Sequence, residues 1–182
     1  MTDICFPPPT AEEARAAFGD DFNPDKTLNG AIALAAAGDL AGPAIALMKA
    51  VFACCAADAR LREAMILRTA VRLNCIYAVH ASTRIALNSG LSNTEVEALT
   101  ADSPVTGIDP EIVLIARMAD EIADHATLGE DLLEAAIERW GVCNTRKLIL
   151  MLSWFNLVNR YESACRVPND SDEKLERSSG PT

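Results

Sequence analysis

Residues 60–90 read RLREAMILRTAVRLNCIYAVHASTRIALNSG, and two helical periods meet inside them near Asn74. In the first half, Leu61, Met65, Ile66, Ala70 and Leu73 recur at helical spacing, with Arg60, Arg62, Arg68 and Arg72 largely off that stripe. In the second half, Cys75, Ala78, Ser82, Ile85, Ala86 and Ser89 share a face, and Gly90 stands where a helix would stop. The pattern predicts two antiparallel helices joined at Asn74. Cys75 then falls in the first turn of the second helix, where unpaired N–H groups and the helix dipole favour a thiolate.

The flanking sequence is helical as well. Thr10 with Glu13 and Ser92 with Glu95 are capping-box pairs. Leu28, Ile32 and Ala35 mark a helix ending near Gly38, and Asp39 to Ala57 reads as the next, with Gly42-Pro43 in its first turn. Lys49 and that Gly-Pro pair make residues 40–57 a buried helix in preference to a membrane span. Asp109-Pro110 opens a long helix, Thr127 with Glu130 is a candidate cap for the next, and Gly141 stops it. Asn144 is a candidate cap for a last apolar helix reaching Cys165. No period-two pattern persists, so the fold class is all-α, a multi-helix bundle in one domain.

Half of the 182 residues are hydrophobic, few are aromatic, and the formal net charge is −10. That charge speaks against nucleic acid and against an anionic membrane surface as partners. Cys5, Cys54, Cys55, Cys75, Cys143 and Cys165 are scattered in apolar or helical settings, with Cys54 and Cys55 read as core packing. The chain opens on Thr2, Asp3 and a proline run without a secretory pattern, so reduced thiols in a cytoplasmic protein are expected. His80 and His125 are isolated, and no zinc spacing is present; no metal and no cofactor are expected.

The central stretch resembles the AhpD-like, carboxymuconolactone decarboxylase superfamily of small helical proteins. Its redox members carry a Glu followed, twelve residues on, by a Cys-x-x-Cys-x-x-x-His motif, then Ala and Gly-Leu-Ser. Glu63 lies twelve residues before Cys75, and Ser82 to Ser92 matches the segment that starts at the motif His. By this register Glu63 matches the proton-relay Glu and Cys75 the first Cys. Ala78 stands in place of the second Cys and Ser82 in place of the His. The decarboxylase branch has Tyr-Glu-Trp-x-x-His here; Tyr77 matches its Tyr, while Ala78, Val79 and Ser82 replace the other three. The resemblance extends to WFNLVNRYESACRVP and covers about residues 25–168, between an arm with a short helix (1–24) and a polar tail (169–182) expected to be disordered.

At about 100° per residue, Cys75, Ala78 and Ser82 fall in one narrow sector of the helix, and His80 lies roughly 160° from Ser82. His80 is therefore expected to point elsewhere, packed or hydrogen-bonded at a helix or subunit interface.

Three functions follow from these residues. The resemblance implies first a cofactor-free lyase or isomerase acting by proton transfer on a small organic acid, lactone or ring compound. Glu63 and Cys75 are then the catalytic candidates. Tyr77, Ser82, Trp154 and Asn159 are the substrate-binding candidates. The second is an alkylhydroperoxidase-like thiol peroxidase using Cys75, which without a second thiol at Ala78 needs an outside or distant one. The third is a non-catalytic binding protein on the same scaffold. Trp154, Asn156, Asn159 and Arg160 on the last helix either line a pocket or satisfy loop carbonyls or a neighbouring subunit's acid. The resemblance also implies a homo-oligomer, alongside a small-molecule substrate.

Overall fold

The structure is a computed structural model that describes residues 6–178. Residues 1–5, including Cys5 and the start of the expected arm, and residues 179–182 at the end of the tail lie outside the described residues. Helix α1 spans Ala11–Phe18, α2 Asn29–Ala35, α3 Ala41–Phe52, α4 Ala59–Arg72 and α5 Ile76–Asn88. They are followed by α6 Asn93–Thr100, α7 Pro110–His125, α8 Glu130–Ala164 and α9 Asp172–Ser178. Among the described residues there is no strand. The all-α reading therefore holds.

Helix α4 is the central element, packed against α5, α6, α7 and α8. Its Ala64, Met65, Leu67 and Ala70 are fully buried, and burying a side chain such as Leu67 contributes about 1.5–3 kcal/mol relative to exposure. Arg68 departs from the sequence reading. It is 1% exposed, and its guanidinium makes a two-point contact with Asp120 at 2.6 and 2.9 Å and donates to the carbonyls of Leu99, Ala101 and Ser103. A buried guanidinium is tolerated when its charge is paired and its N–H groups are satisfied, and Asp120 on α7 with the α6–α7 loop supplies both.

The α4–α5 turn falls where the sequence places it. Asn74 takes φ +52°, its N–H reaches the Val71 carbonyl at 3.1 Å, and the Cys75 N–H reaches the Ala70 carbonyl at 2.9 Å. This is a Schellman closure with Asn in the left-handed position that usually takes Gly. The C-terminal end of α8 closes the same way: Arg166 has φ +53°, and the Val167 N–H donates to the Glu162 carbonyl at 3.0 Å. Val167 packs on Ala70, Cys75, Tyr77 and Ala78, so the two helix C-termini come together.

Both capping boxes form as read, Thr10 with Glu13 and Ser92 with Glu95, and Asp109 and Pro110 open α7. Other boundaries are corrected. Helix α3 stops at Phe52, short of Ala57, because Asp58 caps α4 by accepting from the Leu61 N–H at 2.8 Å. Cys54 and Cys55 thus sit in the turn, and Cys55 is exposed, not core. Thr127 does not cap α8; Gly129 does, its N–H held at 2.7 Å by the Glu121 carboxylate. Asn144 is no cap either. The chain breaks at Gly141 (φ +76°) and is helical again from the next residue, with the Thr145 hydroxyl donating to the Ala136 and Gly141 carbonyls left at the break.

The expected disorder of the tail is also overturned for its described part. Asp170 is buried and caps α2 from a distance, accepting from the Asn29 N–H at 3.1 Å where the N-cap residue Leu28 offers no side-chain cap. Leu175 is fully buried, and Arg84 on α5 pairs with Asp172 and Glu176 of α9. No single described helix is long and apolar enough to cross a membrane; α2 and the segment Gly38–Phe52, apolar enough together, are bent by 118°.

Candidate active site

Between α2, α3, α4, α5 and α8 lies a cavity of about 650 Å³. Its apolar wall includes Leu28, Leu34, Phe52, Ile66, Ile85, Trp154, Phe155 and Val158. Polar groups on its lining include Arg62 and Glu63 from α4, Tyr77 and Ser82 from α5, and Asn159 and Glu162 from α8, with Lys26, Ser89 and Ser178 also present. Five of the six candidate residues read from the sequence therefore meet around one space. The exception is Cys75, which does not line it.

Glu63 is 4% exposed. Burial pushes its carboxyl up to about 7, against the pull of Arg62, whose Nε stands 3.6 Å from Glu63 Oε1. Desolvation outweighs the ion pair because that contact is long and the Arg62 Nε has no hydrogen bond among the described residues. The Arg62 guanidinium lies over the Phe52 ring, 5.2 Å from its centre.

Cys75 is the N-cap of α5, and its own N–H is used in the Schellman closure. Its thiol is fully buried and donates to Glu162 Oε2 at 3.8 Å. Burial pushes the thiol up. The Ser163 hydroxyl and the Ala78 N–H at the helix start pull the other way, while Glu162 adds to the rise. The expected thiolate is thus corrected: the helix end acts in the expected direction, but burial prevails.

Glu162 was not legible as a site residue. It is 7% exposed, and burial pushes its carboxyl up to about 8; the Cys75 thiol lowers it and Asp170 raises it. The backbone of α2 lies directly against this carboxyl. A Cβ at Gly30 would overlap Glu162 Oε1 and approach the Tyr77 ring to 2.8 Å. The signal available was one acidic residue inside a greasy helical run, the same kind of anomaly as Asn156 and Asn159.

Tyr77 presents its ring to the cavity while its hydroxyl is committed elsewhere. The hydroxyl accepts from the Gly30 N–H at 2.7 Å and donates to Asp170 Oδ2 at 2.8 Å. Burial, with Asp170 beside it, pushes the phenol far up, so it stays protonated. The Asn159 amide donates to the Phe155 carbonyl at 2.8 Å, and Asn156 donates to Leu152 in the same way. These amides satisfy carbonyls of their own helix, and Asn159 lines the cavity too. His80 is directed away, its Nε2 3.3 Å from the Asp170 carbonyl, as the helical phase predicts. No group of three or more metal-ligating side chains occurs among the described residues.

Residues 39–121 match the model of a family described as the Carboxymuconolactone decarboxylase family. No curated protein and no solved structure matches the chain. The matched segment contains Arg62, Glu63, Cys75, Tyr77 and Ser82, while Trp154, Asn159 and Glu162 lie beyond it.

Proposed function

We propose that this chain is a member of the AhpD-like, carboxymuconolactone decarboxylase superfamily, as the family match over residues 39–121 supports, and that within it the protein is an enzyme of proton transfer. It acts as a lyase or isomerase on a small organic acid, lactone or ring compound, with its own side chains carrying the proton. The observation that carries this reading is Glu63: a buried carboxyl on the wall of an apolar cavity, with its pKa raised to about 7. A group titrating near the working pH both takes and gives a proton, which is what general acid–base catalysis requires. Ser82, Asn159 and the rings of Trp154 and Tyr77 supply contacts that orient a small ring within the cavity.

The thiol-peroxidase alternative finds less support. Cys75 is buried outside the cavity lining, its thiol is pushed away from ionisation, and Ala78 offers no partner thiol. Peroxidases need an accessible thiolate.

The test uses a panel of small carboxylic acids and lactones in deuterated buffer, with deuterium entry or product formation followed by NMR. Glu63→Gln keeps the shape but cannot exchange the proton, and should lower the rate by about a hundredfold or more. Cys75→Ala should lower it far less. A tolerant Glu63 with an essential Cys75 would move the chemistry to the thiol. Saturable binding without turnover would make the cavity a binding site only.

A further inference from the structure

We propose that Glu162 is the second proton-transfer group of this cavity, a general acid working with Glu63 as general base to move a proton along an allylic system in an enolisable lactone or carbonyl compound. The inference rests on the reading of Glu63 above and narrows it to one reaction class.

Placement is the first argument. Glu162 reaches the cavity from α8 and Glu63 from α4, so one space is lined by two carboxyls borne on separate helices. The second argument is that their surroundings differ in sign. Glu63 lies in the second turn of α4, toward the positive end of the helix dipole, with the Arg62 guanidinium beside it. Glu162 lies in the last turn of α8, where the dipole opposes negative charge.

The groups facing Glu162 reinforce this. From α5 they are the neutral Cys75 thiol and the Tyr77 phenol. From the tail comes Asp170, already paired with Lys174 at 3.0 Å. From α2 comes the backbone at Gly30, which carries no charge. Lys26, Arg62 and Glu63 line the same cavity. Among the described residues no cation pairs with Glu162 itself. Burial pushes both carboxyls up, Glu63 to about 7 and Glu162 to about 8, the direction in which these surroundings act.

The step balances as follows. A Glu63 carboxylate oxygen takes the proton from the carbon between a carbonyl and a carbon–carbon double bond. The electron pair of that C–H bond spreads into a dienolate. Glu162 gives its proton to the far carbon, forming the new C–H bond and the conjugated isomer. Glu63 is left neutral and Glu162 ionised; proton exchange with water restores the starting pair, and no oxidant or reductant is needed.

The probe is α-angelica lactone, whose allylic shift yields β-angelica lactone, followed by NMR in deuterated buffer across pH. Wild type should convert it with a bell-shaped profile and place deuterium at the newly protonated carbon. Glu162→Gln should fall by about a hundredfold or more and lose the alkaline limb, and Glu63→Gln should fall similarly and lose the acidic limb. Retention of rate and alkaline limb in Glu162→Gln overturns this assignment and leaves Glu63 standing. Retention of rate in Glu63→Gln overturns the reading beneath it. Absence of conversion by wild type overturns the allylic assignment. Should Glu162→Gln not fold, a carboxyl carbon-13 titration of wild type decides: Glu162 holding its proton to higher pH than Glu63 supports the pairing, and the reverse order overturns it.

Discussion

Replacing Glu63 with Gln should change how stability depends on pH, and the size of the change follows from burial. Burial raises the Glu63 pKa from 4.5 to about 7. In the window between those values the folded chain holds a proton that the unfolded chain has released. Stability therefore falls as pH rises through it. The contribution is fully present below the unfolded value and gone above the folded one. A shift of this size is worth about 3 kcal/mol, at about 1.4 kcal/mol per pKa unit. From about pH 5.5 to about pH 8.5 the portion lost is about 2 kcal/mol. Gln resembles the protonated acid and does not titrate. Urea unfolding should find the variant already about 1 kcal/mol more stable than wild type at the acid end of this range and about 3 kcal/mol more stable at the alkaline end, a gap that widens by about 2 kcal/mol. Glu162→Gln should show the same sign over a window reaching about 8. A difference between variant and wild type that stays constant across this range, or one of opposite sign, would refute the burial argument.

Thiol accessibility should follow burial: among the cysteines of the described residues, Cys55 and Cys143 react first with a disulfide reagent in the native protein, while Cys75 reacts only on unfolding, as mass spectrometry of labelled peptides would show. Gly30→Ala should cost about 1–3 kcal/mol by overpacking against Glu162 and Tyr77, read as a lowered midpoint in urea; an unchanged midpoint would mean that α2 moves aside freely. Asp170→Ala removes the acceptor of the Asn29 N–H and the Tyr77 hydroxyl together with the Lys174 partner, and should cost about 2–3 kcal/mol. Hydrogen exchange over residues 171–178 should quicken as α9 loses its anchor.

What the sequence revealed and what it hid divide along one physical line. Periodicity and caps are local, so the hairpin turn at Asn74, both capping boxes and the opening of α7 could be read directly. The errors arose where a distant group supplied the missing interaction. Glu121 holds the start of α8 in place of Thr127, Asp170 caps α2 across more than a hundred residues, and Asp120 makes Arg68 a core residue. The polar tail looked disordered because the ion pairs and the single buried Leu175 that hold it depend on α5. At the site, helical phase turned His80 away, and the twelve-residue spacing of the resemblance put Ser82 in one space with Glu63. Helical phase placed Cys75 in the right turn but carried no information on desolvation, which decides the state of the thiol.

By the resemblance, Ala78 and Ser82 stand where the redox motif has its second thiol and its imidazole, and at those two positions the α5 wall of the cavity offers a methyl group and a hydroxyl. Titratable chemistry is left to the helices that flank it. Two carboxyls in one cavity are useful for proton transfer only if their environments differ, since a symmetric pair would share its protons without fixed roles. The difference here lies in the neighbours. Glu63 has a guanidinium in reach, which favours its anion, whereas Glu162 accepts from the Cys75 thiol. A thiol is a weak donor and carries no charge of its own at neutral pH, so it occupies an oxygen of Glu162 without holding a negative charge there. A lysine in its place would ionise Glu162 and erase the contrast. Under the proposed reading Cys75 would act as a positioning residue for an acid, and its burial, which makes it a poor nucleophile, would suit it to that role.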